Sequence, residues 1–156
     1  MEKRKESSSN SKGTVVLISC SKVKVSRRCQ AKDMYLGTLF KKSVIYSRLK
    51  KIPFFILSAK YGLLHPNTSI DPYDLSLNNM NRIDRSKWTD KVKIQMEDFG
   101  IAQNKKILLA GEKYTEFIEG DKPLKGLSQG RQLQWLNKQI SNLSFKINFS
   151  MRLDNE

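Results

Sequence analysis

Three short apolar runs decide the fold: Thr14–Ser19 (TVVLIS), Phe54–Ser58 (FFILS) and residues 106–110 (KILLA). Such short runs, without alternation of polar and apolar residues, are typical of strands that are buried on both faces. Segments with helical spacing of apolar residues separate or follow these runs, at residues 35–51, 84–99, 112–118 and 131–142. Strands that alternate with helices predict an α/β domain of three layers, with a mostly parallel central sheet and helices on both faces.

The length of 156 residues suits one domain, which we place at residues 14–150. Residues 1–13 are polar, charged and rich in serine, so we expect a disordered tail there. Residues 144–150 alternate apolar and polar side chains, which predicts an edge strand. Residues 151–156 are then a C-terminal tail.

The chain is basic: 29 Lys and Arg against 15 Asp and Glu give a formal net charge of +14. Its hydrophobic fraction of 38% is typical of globular proteins and not of disordered chains. No apolar run approaches the roughly 20 residues that a membrane span needs, and the N-terminus lacks an apolar signal core. We therefore expect a soluble, cytoplasmic protein that has no membrane partner.

Cysteine and histidine are scarce, since the chain has only Cys20, Cys29 and His65. Two cysteines without an export signal do not make a disulfide framework. A structural zinc site would have to use nearly all three residues at unfavourable spacing. A Ser-His-Asp triad would depend on His65 alone, without a G-x-S-x-G elbow. We expect neither a metal nor another cofactor.

Much of the positive charge lies in residues 21–51, which contain ten basic residues and one acid, Asp33. Clustered basic side chains attract phosphates and release counterions, which favours nucleic acid as the partner. A solvated basic face and a small anionic ligand are the alternatives. We assign contacts with the nucleic-acid backbone to Lys24, Arg27, Arg28, Lys32, Lys41 and Lys42.

Ligands of parallel sheets bind beyond the carboxyl ends of the strands, which directs attention to the loops after the three apolar runs. In the first loop, Cys20 lies where a thiol could meet a ligand, and neighbouring lysines would favour the thiolate. The alternative is that Cys20 is a small buried hydrophobe. Lys22 is a candidate phosphate contact, and Ser21 could help a nest of backbone N–H groups hold an anion.

The second loop carries aromatic and acidic residues. Tyr61 and Gly62 follow the second strand, where the ring of Tyr61 or Tyr73 could stack on a base. Asp71 and Asp74 flank a Pro-Tyr pair, and a carboxylate there could activate water or stabilise an oxocarbenium ion. The alternative is an ordinary Asp-Pro turn with Tyr73 in the core.

The third loop begins at Gly111, which opens a helix whose free N–H groups could face an anion. Gly130 and Arg131 could bring a backbone turn and a cation to the same edge of the sheet. The chain has no G-x-G-x-x-G sequence and no P-loop, so the phosphate signal at Gly111 alone is weak.

Residues 57–66 (LSAKYGLLHP) and 70–75 (IDPYDL) resemble the signature of the YaaA-type peroxide-stress proteins. The chain as a whole is similar to a related family of small bacterial and phage proteins, over residues 14 to 140. The matching positions are Cys20, Lys22, Ala31, Asp33, Tyr35, residues 57–64, Gly111, Tyr114, Pro123, Leu124, Gly126, Gly130, Trp135 and Leu136.

The resemblance implies a function on nucleic acid, DNA more than RNA, because the YaaA-like group is linked to DNA binding and oxidative DNA damage. A weaker similarity, at Cys20, Lys32 and Tyr35, is to the lysine-transferring domain of archaeosine synthase, which acts on a deazaguanine base. Asp33 and Gly37 depart from that pattern, where proline and serine are expected. Related α/β domains include base-excising glycosylases.

We therefore predict that the protein is a glycosylase-like hydrolase that acts on a modified or damaged base in DNA. It would serve in a stress response or in phage defence. Asp33, Asp71 or Asp74 would position water or stabilise the sugar cation. The alternatives are a non-catalytic DNA-binding stress or accessory protein, and an enzyme for a free nucleoside or nucleotide. The candidate substrate-binding residues are Cys20, Ser21, Lys22, Tyr35, Ser58, Lys60, Tyr61, Gly62, Tyr73, Gly111, Tyr114, Gly130 and Arg131.

Overall fold

The structure, a computed structural model, describes residues 13–154 and contains a mostly parallel sheet. Strand β1 (Thr14–Ser19) pairs in parallel with β3 (Phe54–Ser58) on one side and with β6 (Lys105–Leu109) on the other, while β4 (Gly62–Leu64) runs antiparallel to β3. The sheet order is β4-β3-β1-β6.

A second, smaller sheet pairs β2 (Cys29–Gln30) with β5 (Ser69–Ile70) in antiparallel fashion. Neither of these strands was predicted, and nor was β4, because they lie in segments rich in turn residues. The predicted runs at β1 and β3 are confirmed with their bounds, and the third begins one residue earlier than predicted.

In residues 13–154, five α-helices and a 3-10 turn connect or follow the strands. The apolar periodicity found in the sequence therefore corresponds to real helices, with shifted ends. Their bounds are Ala31–Met34 (α1), Thr38–Leu49 (α2), Arg82–Asp98 (α3), Glu112–Thr115 (α4) and Gln129–Asp154 (α5), and the 3-10 turn is Leu77–Asn79.

Both faces of the sheet are buried, as alternate residues of β1 show. Val16 and Ile18 belong to one core cluster, to which α2 and α5 contribute. Val15 and Leu17 belong to a second cluster, to which α3 and α4 contribute. Because successive side chains of a strand point to opposite faces, an apolar run without alternation is what such a strand requires.

Helix α2 begins later than the periodicity predicts. Tyr35 and Leu36, which we placed in the helix, are extended: Tyr35 forms a bridge with Lys24, and the Leu36 N–H donates to the carbonyl of Val23. Pairing with the preceding loop outweighs the helical spacing of these residues. The N-cap residue of α2 is Gly37.

The edge strand predicted at residues 144–150 is wrong, because α5 continues to Asp154. No glycine or proline follows Gly130, so nothing in the sequence ends the helix there. Phe145 and Phe149, four residues apart, stack on one side of α5. Residues 151–154, predicted as a tail, form its last turn, and the tail predicted at residues 1–13 lies outside the described residues except for Gly13.

None of the helices in residues 13–154 combines the length and the apolar character that crossing a lipid bilayer would require.

Candidate functional site

An open cleft of about 780 Å³ lies beyond the carboxyl ends of β1 and β6. Its floor is formed by the residues that follow these strands, Cys20 and Gly111 among them. One wall is the loop after β1 with the start of α2, and another is the stretch before and within the 3-10 turn. The first turns of α5 form a third wall, through Gln129, Gln132 and Leu133.

The polar lining of the cleft combines cations, amides and one carboxylate. Among the described residues that line it, Asp74 is the carboxylate, and Lys22 and Lys24 are the cations. Amide groups can donate and accept hydrogen bonds at once, as the edges of nucleobases require. The amides of the lining are Asn78, Asn79, Gln129 and Gln132.

A buried network of hydroxyl groups fills the space beyond β3. The Ser58 hydroxyl donates to the Tyr73 hydroxyl at 2.7 Å, and the hydroxyls of Tyr35 and Tyr73 are also 2.7 Å apart. The Ser58 oxygen accepts a hydrogen bond from the Tyr61 N–H at 3.0 Å. Ser58 is fully buried, and Tyr35 is only 1% exposed. This end of the sheet is therefore packed and not open to a ligand.

Cys20 lies between this network and the cleft. Its sulfur is 3.5 Å from the Tyr114 hydroxyl, which also accepts from the Leu77 N–H at 3.4 Å. Tyr73 also interacts with the Cys20 thiol. Cys20 is half-buried, lines the cleft and forms no disulfide, and Cys29 is also a free thiol.

Burial keeps the phenols of this region protonated. It raises the pKa of Tyr35, Tyr73 and Tyr114 well above the ordinary value of 10.0, and the neighbouring Cys20 adds to the effect at each. Hydrogen bonds from Ser58 to Tyr73 and from the Leu77 N–H to Tyr114 act in the opposite direction but are weaker. These phenols are therefore neutral donors and acceptors at neutral pH.

Lys24 borders both regions. Its ammonium nitrogen lies 4.5 Å from the centre of the Tyr73 ring and 5.9 Å from that of Tyr35. It also donates to the carbonyl of Lys22 at 3.3 Å. A cation over an aromatic face is stabilised by the ring quadrupole, so the packed phenols help to hold Lys24 at the cleft.

Only one of the three predicted catalytic carboxylates lines the cleft, and that is Asp74. Asp71 instead forms an ion pair with Arg28 at 3.0 Å, with both side chains about 60% exposed. Asp33 is exposed in the first turn of α1. The cause is local, because the chain between β5 and the 3-10 turn points Asp71 and Asp74 to different surroundings.

The residues of the β3–β4 turn do not line the cleft, and the stacking of Tyr61 on a base stays a prediction. The Tyr61 hydroxyl bonds to the backbone of Asp71 at 3.3 Å, and its ring packs edge-on against Tyr73. Lys60 is exposed, with its nitrogen 5.3 Å from the Tyr61 ring centre. Tyr73 is likewise held in the network and does not line the cleft.

Gly62 has a structural role. Its φ of 78° lies in the left-handed region, and a Cβ there would overlap the side-chain oxygen of Gln95. That oxygen accepts from the Leu63 N–H at 2.7 Å and joins β4 to α3. The close approach concerns a protein side chain, and not a ligand.

Ser21 is also used within the protein. Its hydroxyl accepts from the Gly37 N–H at 3.1 Å and donates to the carbonyl of Val23 at 2.9 Å. A Cβ on Gly37 would lie 2.7 Å from the Ser21 Cβ, so glycine permits this contact. These bonds fix the loop after β1 against the start of α2, and both residues line the cleft.

The remaining predicted residues divide between the cleft and the surface. Gly111 lines the cleft, whereas Gly130 and Arg131 are exposed on the first turn of α5 and do not. Their neighbours in α5 provide the cleft wall instead. Among the predicted backbone contacts, Arg27, Arg28 and Lys41 are exposed, whereas Lys24, Lys32 and Lys42 are half-buried.

Comparison with protein families gives one match: residues 15–138 fit DUF6884, a family of unknown function. The chain belongs to this family. The matched span runs from β1 into α5 and includes every lining residue of the cleft. Comparisons with curated proteins and with solved structures found no significant match.

Reasoning from the sequence missed the amide groups of this DUF6884 protein. Asn78 and Asn79 lie in the 3-10 turn, whose N-cap residue Ser76 accepts from the Asn78 N–H at 3.1 Å. Gln129 and Gln132 lie on one side of α5, three residues apart. Amides are ordinary surface residues, so only their nearness to the sheet edge in the fold distinguishes them.

The DUF6884 chain shows no cluster of three or more His, Cys, Asp or Glu side chains suited to a metal ion in residues 13–154.

Proposed function

We propose that this protein is a glycosylase-like hydrolase that removes a modified or damaged base from DNA. The observation that carries the proposal is the position of Asp74, a carboxylate that lines the same cleft as Lys22 and Lys24. A carboxylate is the group that glycosidic cleavage needs, and the cations suit a negatively charged substrate.

The size and lining of the cleft suit a nucleobase. Its volume of about 780 Å³ is within the range of roughly 300–1,000 Å³ that ligand sites occupy. The side chains of Val23, Leu39 and Leu133 provide apolar surface for the faces of a base. The amides of the 3-10 turn and of α5 can read its edges.

The basic segment, residues 21–51, supports a polynucleotide substrate. A base in a duplex must be extruded before its glycosidic bond can be reached, which costs a few kcal/mol. Contacts of exposed cations with backbone phosphates can offset this cost, and Arg27 and Lys41 are exposed on the segment. Lys22 and Lys24 bring the same charge to the cleft itself.

In the proposed reaction, the bond between C1′ of the sugar and the base nitrogen breaks, and a water oxygen bonds to C1′. The carboxylate of Asp74 stabilises the oxocarbenium-like transition state and accepts a proton from the attacking water. That proton passes to the base, which leaves as a neutral molecule. The neutral hydroxyl of Tyr114, at the floor of the cleft, can orient the base through a hydrogen bond.

Base release from natural DNA tests the proposal. The pure protein is incubated with genomic DNAs that carry different natural base modifications, and released bases are identified by mass spectrometry. We expect release of one modified base by the wild type and by Asp71→Asn, whose carboxylate lies outside the cleft. If none of these DNAs yields a released base, the catalytic proposal is overturned.

A non-catalytic DNA-binding protein is the second candidate. The observation that favours it is the placement of Asp33 and Asp71 away from the cleft, because glycosidases commonly use two carboxylates. This candidate predicts retention on DNA that weakens steeply with salt, without any product. The same incubation distinguishes the two functions.

We also infer a three-layer arrangement with helices on both faces of the sheet. Its support is the division of β1 side chains between two core clusters, one with α2 and α5 and the other with α3 and α4. This arrangement leaves the carboxyl edge of the sheet free for the cleft.

A further inference from the structure

A second cavity, of about 570 Å³, adjoins the cleft. Ala110 and Gly111, which follow β6, line both spaces, as do Leu124 and Gln132. A ligand that fills the cleft can therefore extend into the second cavity by crossing the short segment after β6.

The second cavity carries a surplus of positive charge. Arg85 forms an ion pair with Glu116 and also donates to the carbonyl of Met80 at 2.6 Å, so both of these charges are already compensated. Among the described residues that line the cavity, the other charged ones are three lysines and one carboxylate: Lys113, Lys122, Lys125 and Glu112.

Lys113 and Lys125 are available to a ligand, whereas Lys122 is already bonded within the protein. Lys122 is half-buried, and its ammonium group donates to the carbonyl of Thr115 at 2.9 Å. Lys113 and Lys125 are exposed. The ammonium group of Lys113 lies 3.5 Å from the carbonyl of Asn78, a residue of the cleft wall, so this lysine reaches the border between the two spaces.

We propose that the second cavity is a phosphate subsite, which binds the phosphate attached to the nucleoside held in the cleft. The inference rests on the proposed function, and it deepens that function by naming a phosphorylated nucleoside as the substrate class. Lys113 and Lys125 provide mobile point charges, and Lys122 a fixed one, around a compact anion. The phosphate is a diester in DNA or a monoester in a free nucleotide.

Removal of the two exposed lysines tests the subsite. The variant Lys113→Gln/Lys125→Gln is compared with Lys87→Gln/Lys93→Gln, which removes the same charge from exposed positions of α3 that line neither space. Binding of a fluorescent single-stranded oligodeoxythymidylate is measured over a range of salt concentrations. Both variants alter exposed side chains, and equal thermal unfolding temperatures verify that they fold.

We expect the subsite variant to bind about tenfold more weakly at low salt. The slope of log affinity against log salt should become shallower by about 0.7 for each phosphate that the variant no longer neutralises. The control variant should keep the wild-type slope. Equal affinity and slope in the wild type and the subsite variant would overturn the proposal.

Competition by small ligands separates the two sources of phosphate. Displacement of the oligonucleotide by thymidine monophosphate, but not by thymidine, supports a monoester in the subsite. Weaker oligonucleotide binding by the subsite variant without competition by the nucleotide supports a diester.

The two proposals can fail separately, because base release tests the hydrolase and oligonucleotide binding tests the phosphate subsite. A protein that releases no base, but whose subsite variant loses salt-dependent affinity, retains the phosphate subsite and contradicts the hydrolase. A subsite variant that releases base and binds DNA as the wild type does contradicts the subsite alone.

Discussion

The carboxyl edge of the sheet is closed at β3 and open at β1 and β6. Beyond β3, Ser58 is fully buried and bonded to Tyr73, whose hydroxyl is 2.7 Å from that of Tyr35. Beyond β1 and β6, the same edge leaves a cleft of about 780 Å³. The difference shows that a position after a parallel strand does not by itself make a residue part of a site. The tyrosines beyond β3 support the fold, while asparagine and glutamine side chains line the cleft beyond β1 and β6.

The largest effect on base release is expected from a substitution of Asp74, in the open region beyond β1 and β6. We expect Asp74→Asn to lower base release by about 10²-fold or more, because it removes the carboxylate from the cleft but leaves a side chain of the same shape. Binding of DNA should change little. Release rates by mass spectrometry and affinities by fluorescence anisotropy measure the two effects.

Asp71→Asn is the matched control, because Asp71 lies three residues earlier and outside the cleft. Equal rates for the two variants would show that the open region does not perform the reaction.

A substitution in the closed region, beyond β3, should lower the free energy of unfolding. Ser58→Ala removes the acceptor of the Tyr61 N–H and the donor to Tyr73, so the N–H loses its partner while the Tyr73 hydroxyl keeps that of Tyr35. We expect the free energy of unfolding to fall by about 1–3 kcal/mol, as measured by urea denaturation. Ser26→Ala, at an exposed position, is the control and should have little effect.

A loss of DNA affinity in Ser58→Ala without a loss of stability would mean that the region beyond β3 contacts the ligand.

Alkaline pH should lower the free energy of unfolding through the tyrosines of the closed region. Burial raises the pKa of Tyr35 and Tyr73 above 10.0, so above that pH the unfolded chain loses protons that the folded protein retains. The stability present below pH 10 should then fall with rising pH, by up to about 1.4 kcal/mol per pH unit for each tyrosine. Urea denaturation of the wild type and of Tyr35→Phe measures this dependence.

Tyr35→Phe should show a shallower decline, because one of the shifted groups is gone. Stability that stays constant as the pH passes 10 would contradict the neutral, buried state of these phenols.

The smallest effect should come from the ion pair between Asp71 and Arg28. Both side chains are about 60% exposed, so solvent screens their attraction. We expect Asp71→Asn to lower the free energy of unfolding by at most about 1 kcal/mol in thermal or urea denaturation. A larger loss would mean that the loop at β5 supports the fold more than its exposure indicates.

The sequence predicted the parts of the fold that depend on local apolar pattern. The buried runs at β1 and β3 have their predicted bounds, because a strand covered on both faces needs apolar residues at every position. The strand predicted at residues 144–150 is wrong, since the same alternation also places Phe145 and Phe149 on one side of a helix.

The site was predicted less completely, because its residues meet only through tertiary structure. Position after a strand identified Cys20, Lys22 and Gly111 as lining residues. It could not separate Asp74 from Asp71, which are three residues apart in a loop without regular structure. Side chains brought by α5 from the far end of the chain have no signal of their own in the sequence.

Hydrogen exchange measured with and without a short oligodeoxynucleotide tests most directly whether the open region holds the ligand. The described geometry predicts slower exchange at residues 20–24, 74–79 and 110–111, which border the cleft. Residues 59–73, apart from small changes next to Asp74, should exchange as in the free protein. Slower exchange confined to residues 59–73 would contradict the placement of the site and assign ligand binding to the tyrosines beyond β3.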